Sequence, residues 1–179
     1  KIQMGAIVPS YYLFIGQLVD PKNQKNLTEK RLIEFNKIDV KQLPLEQAIR
    51  YVKGNGKRTL YVFTDPDCPY CRKASKYFDG RTDATRHIFF FPLPYHPKAK
   101  VKAQHALSQQ DKAAAYHMVM SGSLDRTTSF KTTPSGIKLQ EEQLEIAKKH
   151  KIDSTPTFMI NGRIIEGFDR ARIEEALGK

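Results

Sequence analysis

The 179-residue chain has two cysteines, and they stand three positions apart as Cys68-Pro69-Tyr70-Cys71. The pair follows a short apolar run, Thr59-Leu60-Tyr61-Val62-Phe63-Thr64, and a breaking turn, Asp65-Pro66-Asp67. A continuous apolar run of this kind marks a strand buried on both faces. Pro69 suits the first turn of a helix, where no backbone N–H is needed. The sequence therefore predicts strand, turn and helix, with the helix over Pro69–Phe78 and Cys68 at its start. A helix N-terminus offers unpaired N–H groups and roughly half a positive charge. Both favour a thiolate, the form that attacks disulfides. Cys68 is expected to be the exposed nucleophile and Cys71 the resolving thiol. The cofactor is then the pair itself, as a reversible Cys68–Cys71 disulfide.

Other uses of a Cys-x-x-Cys pair fit poorly. A zinc site needs two further ligands, commonly a second Cys pair or a His pair. There is no second Cys pair, and no two of His87, His96, His105, His117 and His150 are three to five apart, so no metal is expected. Two cysteines cannot brace a chain of this length as a disulfide scaffold. The residues around the pair tune it. Pro69 and Tyr70 lie between the cysteines, and Pro69 withholds one N–H donor. Asp65 and Asp67 are nearby anions, which oppose a thiolate; Arg72 and Lys73 act the other way.

Past the helix, Arg86-His87-Ile88-Phe89-Phe90-Phe91 is a second buried strand, stopped by Pro92 and Pro94. Residues 99–121 and 139–150 are helical by period, with a Ser/Thr/Gly-rich stretch over 121–136 between them. Thr157–Ile160 and Arg163–Glu166 flank Asn161-Gly162, a strong hairpin signal. Asp169 caps a last helix, Arg170–Leu177, and Gly178 ends it. Parallel strands with crossover helices, then a hairpin and a helix, make an α/β thioredoxin fold. The stretch about 97–150 is longer than one crossover and is expected to be an inserted helical subdomain. Thr155-Pro156 enters the third core strand on the loop that faces the cysteines in this architecture. Its bond is expected to be cis, turning Thr155 toward an extended substrate.

Ahead of this domain, taken as residues 58–179, the signals are weaker. Tyr11–Ile15 reads as a strand, with a possible partner at Ala6–Val8, between Pro9-Ser10 and the turn Asp20-Pro21-Lys22-Asn23. Asn26 and Glu29 form a capping box for a short helix. A second helix is expected over Leu45–Val52, ended by Gly54-Asn55-Gly56. Residue 1 is Lys and no secretory signal is visible, so the chain is expected to be processed or trimmed at its start. The net charge of +11 raises the question of a nucleic-acid partner. Residues 1–57 hold 10 Lys/Arg against 5 Asp/Glu, and residues 58–179 hold 20 against 14, so the excess is spread over both parts. The clusters Lys98, Lys100, Lys102 and Lys148, Lys149, Lys151 lack interleaved aromatics. They read as solvated basic surface, and no nucleic acid is expected.

Tyr61-Val62-Phe63-Thr64-Asp65-Pro66-Asp67-Cys68-Pro69-Tyr70-Cys71 resembles the active-site strand and helix of the periplasmic DsbC/DsbG disulfide isomerases. Ser154-Thr155-Pro156-Thr157 is similar to their cis-proline loop, and Phe90-Phe91-Pro92 fits as well. Gly16–Asp20 and Asn26-Leu27-Thr28 look like the end of that family's N-terminal dimerisation domain and its linker helix. The resemblance implies a partial dimerisation segment over 1–26, a linker helix and connector over 27–57, and a catalytic domain from 58. It implies a periplasmic homodimer, kept reduced by a membrane thiol donor, that binds unfolded or misfolded proteins and reshuffles wrong disulfides. Cys68 would attack, Cys71 would resolve, and Thr155 and Pro156 would face the substrate. The family's dimerisation domain is longer than the part seen here, and residues 99–150 hold no cysteine, which is nearer the DsbG pattern. The alternatives are a monomeric oxidase or reductase dedicated to one pathway, and a chaperone-like binding module with incidental cysteines.

Overall fold

A computed structural model describes residues 16–24, 26–28, 31 and 40–178. The chain divides into two compact units, Lys1–Phe35 and Asn36–Lys179. In the first, the expected turn after Asp20 is present: Asp20 Oδ1 accepts the Lys22 N–H at 2.9 Å. It closes an antiparallel bridge between Val19 and Asn26. The strand expected at Tyr11–Ile15, its partner at Ala6–Val8 and most of the helix after Asn26 lie outside the described residues.

The second unit is built on a five-stranded sheet in the order β1-β3-β2-β4-β5. The strands are β1 (Ile49–Val52), β2 (Arg58–Thr64), β3 (Ala84–Phe90), β4 (Thr157–Ile160) and β5 (Arg163–Glu166). β2 and β3 are parallel, joined by the crossover helix α1 (Pro69–Asp79); the other pairings are antiparallel. α2 (Ala99–Leu107), α3 (Lys112–Ser121) and α4 (Pro134–Lys149) follow β3, and α5 (Arg170–Leu177) closes the chain. β3 and β4 are buried at every position, which suits their apolar stretches Ile88-Phe89-Phe90 and Phe158-Met159-Ile160; Arg86 is buried with them, its charge held by Asp79 at 2.6 Å.

Alternate residues of the central strands feed two cores. Leu60, Val62, Ile88, Phe90, Phe158 and Ile160 pack with residues of α1, α2, α3 and α5. Phe63, Phe89 and Met159 pack with Ile146 and Ala147 of α4 and with Leu43 and Ile152. The rings of Phe63 and Phe89 stack at 5.1 Å between centroids. So α4, although it lies in the helical stretch after β3, covers the opposite face of the sheet from α1.

Three expectations need correction. Leu45–Val52 is not a helix: Leu45–Gln47 is a 3₁₀ turn and Ile49–Val52 is an edge strand paired with β3. Ile, Tyr and Val suit a strand, and four residues cannot distinguish a helical stripe from a strand. Gly54 then turns the chain at φ +58°, where a Cβ would stand 1.8 Å from the Thr82 carbonyl oxygen. The run 99–121 is two helices, because Asp111 caps a new one by accepting the Ala114 N–H at 2.9 Å. The helix expected from 139 starts at Pro134, capped by Thr133 Oγ1, which accepts the Gly136 N–H at 3.1 Å. There α4 crosses α2 closely: a Cβ on Gly136 would lie 2.1 Å from Ser108 Oγ and 3.0 Å from the Gln104 carbonyl oxygen.

Candidate active site

The end of β2, the start of α1 and the loop before β4 meet at the two cysteines. Cys68 is the N-cap of α1, with extended backbone at φ −74° and ψ 121°, and Pro69 opens the helix. Both cysteines are free thiols. They are buried, at 5% and 1% exposure for Cys68 and Cys71. The expectation of an exposed Cys68 is therefore corrected. Packing beneath the Thr155 loop covers it, and the Cys68 Sγ lies 3.5 Å from the Thr155 carbonyl oxygen. The Thr155–Pro156 bond is cis, as expected.

The two thiols differ in their surroundings. Cys68 receives a hydrogen bond from the Cys71 thiol and others from the backbone N–H groups of Cys71 and Tyr70, the open donors of the first helical turn. These outweigh the burial that opposes charge and bring its pKa down to about 6. The Thr155 side chain acts in the same direction. Its buried hydroxyl meets no hydrogen-bond partner in the geometry of the described residues, which leaves it available to the sulfur. Cys71 is pushed the other way, first by burial and then by the hydrogen bond it gives to Cys68. The Asp65 N–H, 3.4 Å from its sulfur, offsets only part of this. One thiol is thus prepared to lose its proton and the other to keep it.

Asp65 and Asp67, expected to oppose the thiolate, are engaged elsewhere. Asp65 is fully buried. Its Oδ1 accepts the N–H groups of Asp67 at 2.7 Å and Cys68 at 3.1 Å. Its Oδ2 accepts the Leu93 N–H at 2.7 Å and lies 2.9 Å from His96 Nδ1. This carboxylate joins the cysteine turn to the loop after β3. Asp67 Oδ1 is paired with Arg72 at 3.1 Å and with Lys102. Both cations also hold Asp125: Arg72 at 2.7 Å and Lys102 at 2.6 Å. Arg72 Nε donates to the Pro66 carbonyl at 2.6 Å. Neither aspartate is among the causes that move Cys68.

At the rim, Tyr70 is 60% exposed, and Lys73 Nζ lies 5.1 Å from its ring centroid, within cation–π range. The sequence residues Cys68, Cys71, Pro69, Tyr70, Asp65, Asp67, Thr155 and Pro156 are all brought to one place. Lys102, Asp125 and His96 were missed. Lys102 was assigned to solvated surface, yet it is 2% exposed. A signal was present: it shares its helical face with Ala99, Ala103 and Ala106, all buried, at the spacing of an inward stripe.

A family model described as thioredoxin-like domain matches residues 45–178. A probable thiol:disulfide interchange protein DsbC of Bordetella avium is 27% identical over 164 residues, 90% of this chain and 57% of that protein. The chain thus spans little more than half the length of that relative. Among solved structures, a disulfide interchange protein from Neisseria gonorrhoeae is 31% identical with a TM-score of 0.66, over 75% of this chain and 96% of that one. The catalytic domain of Proteus mirabilis ScsC, 24% identical, aligns with a TM-score of 0.57 over 74% of this chain and 90% of that one, and shares the fold.

Proposed function

The chain belongs to the thioredoxin-like domain family, and from this we propose that it is a thiol–disulfide oxidoreductase that reduces or reshuffles wrong disulfides in periplasmic proteins. One observation carries the reading: two free thiols at the start of α1, Cys68 at the N-cap and 3.5 Å from the Thr155 carbonyl oxygen, drawn toward the thiolate, and Cys71 beneath it, drawn toward the thiol. The names of the Bordetella and Neisseria relatives support the reaction class.

The Cys68 thiolate attacks one sulfur of a client disulfide. A Cys68–client disulfide forms, and the other client sulfur leaves as a thiolate that takes up a proton. From there two routes open. A second client thiolate attacks the client sulfur, which moves the disulfide within the client and frees Cys68 unchanged. Otherwise Cys71 loses its proton and attacks the Cys68 sulfur, so that the reduced client departs and Cys68–Cys71 is oxidised. The second route uses two electrons from the protein, and a thiol reductant must return them. In keeping with the resemblance, that donor is a membrane thiol protein and the working form is a homodimer. The Thr155 backbone, which already meets the Cys68 sulfur, receives an extended client strand.

The deciding experiment is refolding of a scrambled multi-disulfide protein in glutathione buffer, with wild type and Cys68→Ser. Recovery with wild type and none with the variant is the expected result. A wild type that only oxidises or only reduces its clients would sink the isomerase reading and leave a dedicated oxidase or reductase. Full activity in Cys68→Ser would sink the enzyme reading.

A further inference from the structure

Lys102 is an ammonium group at 2% exposure, on α2, outside the cysteine turn. Charges are almost never buried this deeply unless paired. Its Nζ donates to Asp67 Oδ1 and, at 2.6 Å, to Asp125 Oδ1. Arg72 closes the figure by donating to the same two carboxylates. Two cations face two anions, and the cluster is neutral. Its members flank the reacting pair: Asp67 precedes Cys68, and Arg72 follows Cys71.

The cluster has a consequence for the nucleophile. Asp67 is the carboxylate nearest Cys68 in sequence, and a free anion there disfavours a thiolate. The other groups about Cys68 are Cys71, the Thr155 hydroxyl, and Asp65, which is bonded to the Cys68 N–H and to His96. None of these compensates Asp67. Arg72 divides itself between Asp67, Asp125 and the Pro66 carbonyl. We propose that Lys102 is a positioning residue for thiol exchange, cancelling the Asp67 charge beside Cys68 and tying the cysteine turn to α2 and to Asp125. It touches no substrate and works through Asp67. The inference rests on Cys68 being the nucleophile.

A merely structural ion pair makes a different forecast. Removing one member of a buried charged set destabilises the fold whether or not it serves the thiol, so melting temperature alone does not separate the two roles. The Cys68 titration does, followed by the ultraviolet absorbance of the thiolate and by alkylation rate against pH. Lys102→Met should raise the Cys68 midpoint by about one unit, the low end of the range for a nearby charge. Asp67→Asn added to Lys102→Met should return it to the wild-type value. A Lys102→Met protein with a native circular dichroism spectrum and an unmoved midpoint overturns the proposal. So does a double variant that stays as high as the single one. Should Lys102→Met not fold, Asp125→Asn replaces it, at the more exposed corner of the cluster, 41% for that side chain. It leaves two cations against one carboxylate and should lower the midpoint; a midpoint unchanged or raised overturns the proposal. A wild-type midpoint near the ordinary thiol value, about 8.5, would instead remove Cys68 as the nucleophile and sink the functional reading itself.

Discussion

The Cys68 sulfur and the Thr155 carbonyl oxygen are 3.5 Å apart, although 87 positions separate them in the chain. In the proposed reaction the nucleophile and the loop that receives a client are therefore one surface, and a change in either is felt by the other.

Alkylation of Cys68 should follow its thiolate, rising through a midpoint at about 6 and levelling above it. Linkage gives a second readout. The folded pKa of about 6 lies below the ordinary thiol value of about 8.5, so the reduced protein gains stability from Cys68 as pH rises from about 6 to about 8.5. That gain is complete above the unfolded pKa and is lost as pH falls through the folded one. Cys71 is raised and therefore erodes stability above about pH 8.5. Denaturant midpoints of the reduced protein across this window test the sign; a flat profile contradicts it.

Thr155→Val keeps the shape and deletes the hydroxyl. Loss of one hydrogen bond to a charged sulfur, worth about 1.5 kcal/mol at the low end of the range for charged groups, corresponds to a Cys68 midpoint raised by about one unit. The measurement is the same alkylation profile, and no shift would show that the hydroxyl does not serve the sulfur.

Cys71→Ser should trap the complex with the client. Without a resolving thiol the Cys68–client disulfide persists, and mass spectrometry of a reaction quenched in acid should find it as the main adduct. Cys68→Ser should give none. Equal adduct yields in the two variants would mean that the roles are assigned wrongly.

Asp65→Ala removes a fully buried carboxylate and strands the donors that it joins, the N–H groups of Asp67, Cys68 and Leu93. A loss of about 3–5 kcal/mol is expected, as when one member of a buried charged set is deleted. Urea unfolding measures it, and a loss under about 1 kcal/mol would show that water takes over the bonds.

Gly136→Ala forces α4 away from α2, where the new Cβ would meet Ser108 Oγ at 2.1 Å. Such overpacking costs about 1–3 kcal/mol. Neither Gly136 nor Ser108 is among the groups that act on Cys68, so its midpoint should not move. A shift without loss of stability would refute the packing account.

The parts of this molecule legible in the sequence are those set by neighbours along the chain. Pro69 after Cys68, Asn161-Gly162 between two apolar runs, and Asp169 before α5 each act within a few residues. Their elements were anticipated to within a residue or two. Thr133 and Pro134 carried an equally local signal, a cap and a first-turn proline, hidden in a stretch whose composition suggested a loop. What escaped was decided at a distance. Ile49–Val52 became a strand because β3 offered it an edge. The charges of Asp65 and Asp67 were visible, but what engages them is Leu93, His96, Lys102 and Asp125, four residues from three other places in the chain. Composition counted Lys102 with its exposed neighbours, and only its alanine-lined face hinted otherwise.

In the proposed reaction the reluctance of Cys71 to ionise, which follows from its burial, acts as a timer. While a client is joined to Cys68, its own thiols and Cys71 compete to end the link. Each increment in Cys71 acidity shortens the interval that the client has to find a better pairing. A client that rearranges quickly leaves with a new disulfide and costs no electrons. A slow one is cut loose reduced, to be tried again. On that reading the depth at which a single sulfur is packed sets how long a client is held.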